Sequence, residues 1–350
     1  MVVDEDRVTT LLDRVVADVG ATLAAGNVVV GDRLGLYKAL ADGPQRPQEL
    51  AARTGTAARY VEEWLRGQAA SGYVAYDATA GAYSMTAEQV AVFADPDGEV
   101  HAPGAFRTAL AGLRAEPHVT RAFRGDAPLR RDERDGNAGD YARYLDPRCP
   151  QDLLSRWIPA LHGVEERLCA GARVADVGCG RGYLTLMMAR AFPRSTFAGS
   201  DDRPAAVSRA RRAASAALLD RRVGFEVAAP QSFSGGPYDL VTTFGILHDL
   251  GDPAGAARQV RRSAADGGTW LLVEPYAGRS VSENLTPVGR LFYALSAWHS
   301  VPRALSEPGC YSLGAQAGEE PVRKLVHDAG FTRFERVGET ALSIAYAARP

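Results

Sequence analysis

The chain has 350 residues, 46% of them apolar and 23% charged, with 40 basic residues against 42 acidic ones and a formal net charge of -2. That balance leaves no surplus of cations for phosphates, which argues against a dedicated nucleic-acid or anionic-membrane binder. Two domains are expected from the length. The four scattered cysteines form no Cys-x-x-Cys pair, and no histidine stands at metal-ligand spacing, so a reduced, cytoplasmic protein without a metal is expected.

The amino terminus, MVVDEDRVTT, lacks the basic start and apolar core of a signal peptide, and no run of 18 apolar residues occurs. Residues 4 to 42 have helical periodicity and predict two packed helices. RPQELAARTGTAARYVEEWLRGQAASGYV predicts a short helix, a turn at Gly55 with Thr56 as cap, and a second helix carrying Val61, Trp64 and Leu65. YVAYDATAGAYSMT alternates around a Gly-containing turn, the mark of a small hairpin. Helix, turn, helix and hairpin make a winged helix over residues 1–95, and its apolar face at Val61, Trp64 and Leu65 is expected to form a homodimer.

Residues 96–160 are rich in Arg, Asp, Gly and Pro and read as a helical connecting and substrate-side segment, with Tyr141 and Tyr144 as pocket residues. From 161 to 350 strands and helices alternate. RVADVG, TFAGSD, VGFEVA, YDLVTTFGIL and TWLLVEPY predict strands, with helices at 183–192, 204–219 and 253–265 between them. A helix at 319–329 and closing strands at 331–337 and 341–348 follow. The fold class is therefore α/β, a doubly wound, mostly parallel, Rossmann-like sheet behind a mostly helical winged-helix domain.

VADVGCGRGYLTLMMA runs from the first of these strands through Gly178, Gly180 and Gly182 into a helix. Glycines at a strand's carboxyl end let backbone approach a ligand that side chains would exclude, and the next helix offers unpaired amides to an anion. Asp176 precedes the loop, and Asp201 ends the next strand, where an acid can grip the hydroxyls of a ribose.

DVGCGRG with GSD resembles motifs I and II of class I S-adenosylmethionine-dependent methyltransferases. The resemblance implies that Gly178, Cys179 and Gly180 lie against the methionine part of that cofactor and that Asp201 holds its ribose, with Asp176, Asp202 and Phe244 beside them. A winged helix ahead of such a fold resembles the small-molecule O-methyltransferases of plants and actinobacteria, in which that domain forms the dimer. GDRLGLYKAL, LHDLGDP, LLVEPYAG and LGAQAGE resemble an actinobacterial group of such proteins, some of them labelled regulators. Two departures stand out: Ala228 and Ala229 replace an acid that commonly contacts adenine, leaving the Ala229 backbone in its place, and Gln316 stands where a second carboxylate is usual.

FGILHDLGDP places His248 and Asp249 beyond the fourth strand, on the edge that carries the glycine loop. A base that takes a proton from a phenol or enol should titrate near neutrality, as imidazole does unperturbed. In the resembled family the matching histidine is that base. Glu274, an acid after four largely apolar residues, is the expected orienting partner. Phe292, Tyr293, Trp298 and His299, in GRLFYALSAWHSVPRAL, suit the wall of a pocket for a flat ring or, equally, a core stripe.

A small aromatic or polyketide-like acceptor for methyl transfer is the leading expectation. A non-methylating reaction on the same fold is the alternative, favoured by Ala228, Ala229 and Gln316. A DNA-binding regulator is disfavoured, because Arg59 and Arg66 are balanced by Glu62 and Glu63 and the stretch 73–86 carries no Lys or Arg.

Overall fold

The computed structural model describes residues 3–95, 100–125, 146 and 148–350. The chain divides into two compact units, Met1–Ala111 and Gly112–Pro350.

In the first unit, α1 (Glu5–Arg33) opens on Asp4, whose side chain accepts the Arg7 amide at 3.2 Å. The chain turns at Gly35 (φ 68°) into α2 (Leu36–Leu40). The next helices are α3 (Pro47–Thr54) and α4 (Ala58–Ala70), separated by Gly55 at φ 64°. The cap of α4 is Ala57 and not Thr56, whose hydroxyl pairs instead with that of Thr54 at 2.8 Å. β1 (Ala75–Asp77) and β2 (Ala82–Ser84) form the antiparallel hairpin. α5 (Ala87–Phe93) starts in a capping box of Thr86 and Gln89, and the boundary between the units falls within α6 (Pro103–Arg114).

The expectation about the apolar face of α4 is overturned. Val61, Trp64 and Leu65 are enclosed in the unit's own core with Tyr37, Leu50 and Phe93, and the Trp64 indole donates to the Asn27 carbonyl at 2.8 Å. Among the described residues an exposed apolar stripe lies on α1, made of Leu11, Leu12, Val15, Val16, Val19 and Leu23. Among the described residues α1 is also long and apolar enough, by length and composition, to cross a membrane.

The second unit continues with α7 (Glu116–Phe123), α8 (Cys149–Asp152), a π-helical turn at Leu153–Trp157, α9 (Ile158–Ala160) and α10 (Val164–Ala170). Strand and helix then alternate as predicted: β3 (Arg173–Val177), α11 (Tyr183–Ala191), β4 (Thr196–Asp201), α12 (Pro204–Ala216), β5 (Val223–Val227), β6 (Tyr238–Phe244), α13 (Pro253–Ser263) and β7 (Ala264–Pro275). A helical insert, α14 (Pro287–Leu295) and α15 (Val301–Leu305), precedes α16 (Glu319–Asp328), β8 (Arg333–Glu339) and β9 (Ser343–Arg349).

The seven strands lie in the order β5-β4-β3-β6-β7-β9-β8. All neighbours are parallel except β9, which runs antiparallel to both β7 and β8. Period-2 alternation feeds two cores: Leu271 and Val273 pack on one face with α11 and α12, while Trp270 and Leu272 pack on the other with α13 and α16. The order reverses between β3 and β6. Val177 is in register with Ser200 and Thr243, and Phe244 with Val273, so Gly178, Asp201, Gly245 and Glu274 reach the same edge.

Candidate active site

The glycine loop at that edge is held by backbone bonds: the amides of Gly178 and Cys179 both donate to the Ser200 carbonyl, at 2.8 and 2.9 Å. Gly178 sits at φ +76°, and a Cβ there would lie 2.7 Å from Ile246. Only glycine fits that conformation without strain. Asp176 is buried behind the loop, with its carboxylate accepting the hydroxyls of Thr185 and, at 3.0 Å, Thr242. It pins β3 to α11 and β6. The two threonines were not picked out from the sequence, because nothing local marks them.

Asp201 is 5% exposed and carries four hydrogen bonds. The Gly180 amide donates at 3.0 Å, and Arg203 donates from its backbone at 3.0 Å, from Nε at 2.9 Å and from Nη2 at 3.1 Å. Hydroxyls of a ribose would reach this carboxylate by sharing it with, or displacing, the Arg203 guanidinium. Beside it the Ala228 amide donates to the Asp201 carbonyl at 3.1 Å, and Ala229 is partly buried with no side chain able to hydrogen-bond. Asp202 is half-buried and Phe244 is in the core.

His248 and Asp249 lie in a 3-10 turn, Leu247–Asp249, and both are buried. His248 Nδ1 is 2.7 Å from Glu274 Oε2. The amides of Leu247 and His248 also donate to Glu274, at 3.0 and 3.3 Å, so the carboxylate left unmatched by the apolar strand is fully employed. The other imidazole nitrogen, Nε2, is 3.3 Å from Asp249 Oδ1, an oxygen that receives no hydrogen bond. Oδ2 faces His299 Nε2 at 3.5 Å and Arg303 Nη1 at 3.9 Å.

These charges move the titrations away from the unperturbed values the sequence suggests. Burial disfavours the charged imidazole, but the Asp249 and Glu274 carboxylates outweigh it and hold His248 above its ordinary value. Burial would likewise raise Asp249, yet the facing His248, His299 and Arg303 hold it well below the carboxylate range.

The cavity beside the pair is lined by His248, Glu274, Leu313, Val322 and Tyr346. In the helical insert the pocket expectation divides. Phe292 is core, Trp298 and His299 are half-buried, and Tyr293 is exposed. The Gln316 amide donates to the Tyr276 carbonyl at 2.7 Å while its Oε1 is buried without a partner. Tyr141 and Tyr144 lie outside the described residues.

Residues 175–270 match the methyltransferase domain family, and residues 21–94 match the Rv2258c-like winged HTH domain family. The chain thus resembles a methyltransferase domain over residues 175–270, behind a segment that resembles a winged helix over residues 21–94. Among curated relatives, a trans-aconitate 2-methyltransferase from Methylobacterium nodulans is 32% identical over 144 residues, 40% of this chain and 50% of the relative. A ubiquinone biosynthesis O-methyltransferase from Xanthomonas oryzae pv. oryzae is 35% identical over 134 residues, 37% of this chain and 55% of the relative. The chain thus spans about half the length of these relatives. A solved structure of CalO1, a methyltransferase in calicheamicin biosynthesis in its S-adenosylhomocysteine-bound form, has the same fold at a TM-score of 0.67 and 22% identity, covering 99% of this chain and 100% of that one.

Proposed function

We propose that the protein is an S-adenosylmethionine-dependent O-methyltransferase acting on a small aromatic or polyketide-like acceptor, with His248 as general base. The observation that carries this reading is the Glu274 to His248 pair, 2.7 Å apart and standing at the sheet edge that also bears the glycine loop and Asp201. Glu274 orients the ring through Nδ1, and in its neutral form the ring would take a proton from an acceptor hydroxyl at Nε2.

The residues at the loop fit the cofactor. Gly178 and Gly180 turn the chain back at the end of β3 with φ +76° and +57°, which suits a close backbone approach to a ligand, and Asp201 is an ionisable acceptor at the end of β4 suited to a diol. When bound, S-adenosylmethionine supplies an already activated methyl group, so the protein's own task is to position the acceptor and remove its proton. The first unit would serve as a homodimerisation domain through α1. The relatives and CalO1, each a methyltransferase by name, support the reaction class.

Isothermal titration calorimetry with S-adenosylmethionine is the first test. Absence of binding would remove the methyl-transfer reading and leave the non-methylating alternative. With binding in hand, loss of methyl transfer to a panel of phenols in His248→Ala, at unchanged cofactor affinity, is the result expected.

A further inference from the structure

Arg303, on α15, belongs to the insert whose aromatic residues alone suggest a pocket wall. Its guanidinium is 19% exposed, with Nε 3.2 Å from Glu307 Oε1 and Nη1 3.9 Å from Asp249 Oδ2. Glu307 accepts the Gly251 amide at 3.1 Å, and the Tyr311 amide donates to the Gly251 carbonyl at 3.1 Å. A Cβ on Gly251 would lie 2.6 Å from the Ala304 carbonyl. The segment 303–311 is thus clamped onto the loop that carries His248 and Asp249.

A proton-accepting imidazole here faces a specific difficulty. Carboxylates lie against both of its nitrogens, Glu274 at 2.7 Å and Asp249 at 3.3 Å. Two anions favour the doubly protonated ring, which has no lone pair to offer. Among the described residues, Glu274 and Asp249 lie against this ring, Tyr346 lines the same cavity, His299 and Arg303 stand behind Asp249, and Glu307 pairs with Arg303. Of these, only His299 and Arg303 can withdraw charge from Asp249. His299 is itself titratable and more than one-third exposed. Arg303 is charged throughout, because the carboxylates of Asp249, Glu307 and Asp202 outweigh the burial that disfavours its charge.

Resting on the reading of His248 as the base, we propose that Arg303 is a positioning residue that neutralises Asp249 from the side away from the imidazole, so that His248 holds its own proton less tightly and its neutral ring can take the acceptor's proton. Glu307 opposes it: by pairing with Nε of Arg303 it competes with Asp249 for the same cation. The two residues therefore act on the imidazole with opposite signs, which a merely structural clamp would not produce.

The test is a titration of the full chain by ¹H–¹³C NMR of its histidine Cε1 protons, with the His248 signal assigned by its loss in His248→Gln. Arg303→Gln should move the His248 midpoint to higher pH, corresponding to about a tenfold gain in proton affinity. Glu307→Gln should move it to lower pH, and Arg303→Lys should stay near the unsubstituted value. An unchanged or lower midpoint in Arg303→Gln, or a higher one in Glu307→Gln, overturns the proposal. Should Arg303→Gln fail to fold, the direction of the shift in Glu307→Gln and the retained midpoint in Arg303→Lys decide the matter in its place. Methyl transfer retained by His248→Ala would instead overturn the base reading itself, whatever the titration gives.

Discussion

At the scale of single residues, Asp176, Asp201 and Glu274 are each matched to their own donors, while Asp249 keeps one oxygen without a hydrogen bond. Asp201→Ala removes an acceptor placed for a ribose diol. Its affinity for S-adenosylhomocysteine should fall by at least tenfold in calorimetry, since a hydrogen bond to a charged acceptor is worth about 1.5–3 kcal/mol. His248→Ala should lower methyl transfer by roughly 10²- to 10⁴-fold, the usual worth of a positioned base, and Glu274→Gln should cost less because shape and one acceptor oxygen remain. The pH dependence follows from the raised imidazole. The acceptor's proton can be taken only by the neutral ring, so the rate should fall as pH drops through a midpoint above the ordinary ~6.5. The same shift has the opposite sense for folding. The protonated ring, paired to Asp249 and Glu274, contributes stability in full below about pH 6.5 and loses it as pH rises through the folded-state value. His248→Gln should abolish that slope in urea titrations taken across the range.

At the scale of elements, strand ends are legible in sequence and lateral neighbours are not. The glycine loop, Asp201, His248 and Glu274 each stand at or just beyond the end of a largely apolar run of strand length, so local pattern assigns them to one edge once the sheet is doubly wound. Arg203, Arg303, Thr185 and Thr242 are ordinary polar residues in ordinary helices, strands and turns, and their significance comes from side chains up to 66 positions away. The cap of α4 shows the limit in the other direction: a threonine in a helix-turn-helix linker is a natural cap, yet here its hydroxyl has a neighbouring threonine to bond. The glycine loop gives the element-scale prediction. Gly178→Ala must hold φ near +76° with a Cβ 2.7 Å from Ile246. It should destabilise the fold by about 1–3 kcal/mol, lowering the urea midpoint and weakening cofactor binding together.

At the scale of the whole molecule, the feature left unexplained within the monomer is the stripe on α1. Leu11, Leu12, Val15, Val16, Val19 and Leu23 recur at spacings of one, three and four, which puts them along one side of a 29-residue helix, and each is at least 47% exposed. Fully burying such a side chain is worth about 1.5–3 kcal/mol, so the stripe is a strong candidate for an occupant. A second copy supplies an equally apolar stripe through a two-fold axis, where each residue meets its own kind or a neighbour. Multi-angle light scattering at micromolar concentration should therefore give twice the mass of one chain. Leu12→Glu with Val16→Glu should give a single chain's mass, because two charges per helix would then be desolvated at the contact. Calorimetric binding of S-adenosylhomocysteine by that double variant should persist, since the glycine loop and Asp201 lie in the other compact unit. A monomeric unsubstituted protein that instead sediments with neutral phosphatidylcholine vesicles would assign the stripe to a lipid surface and overturn the dimer.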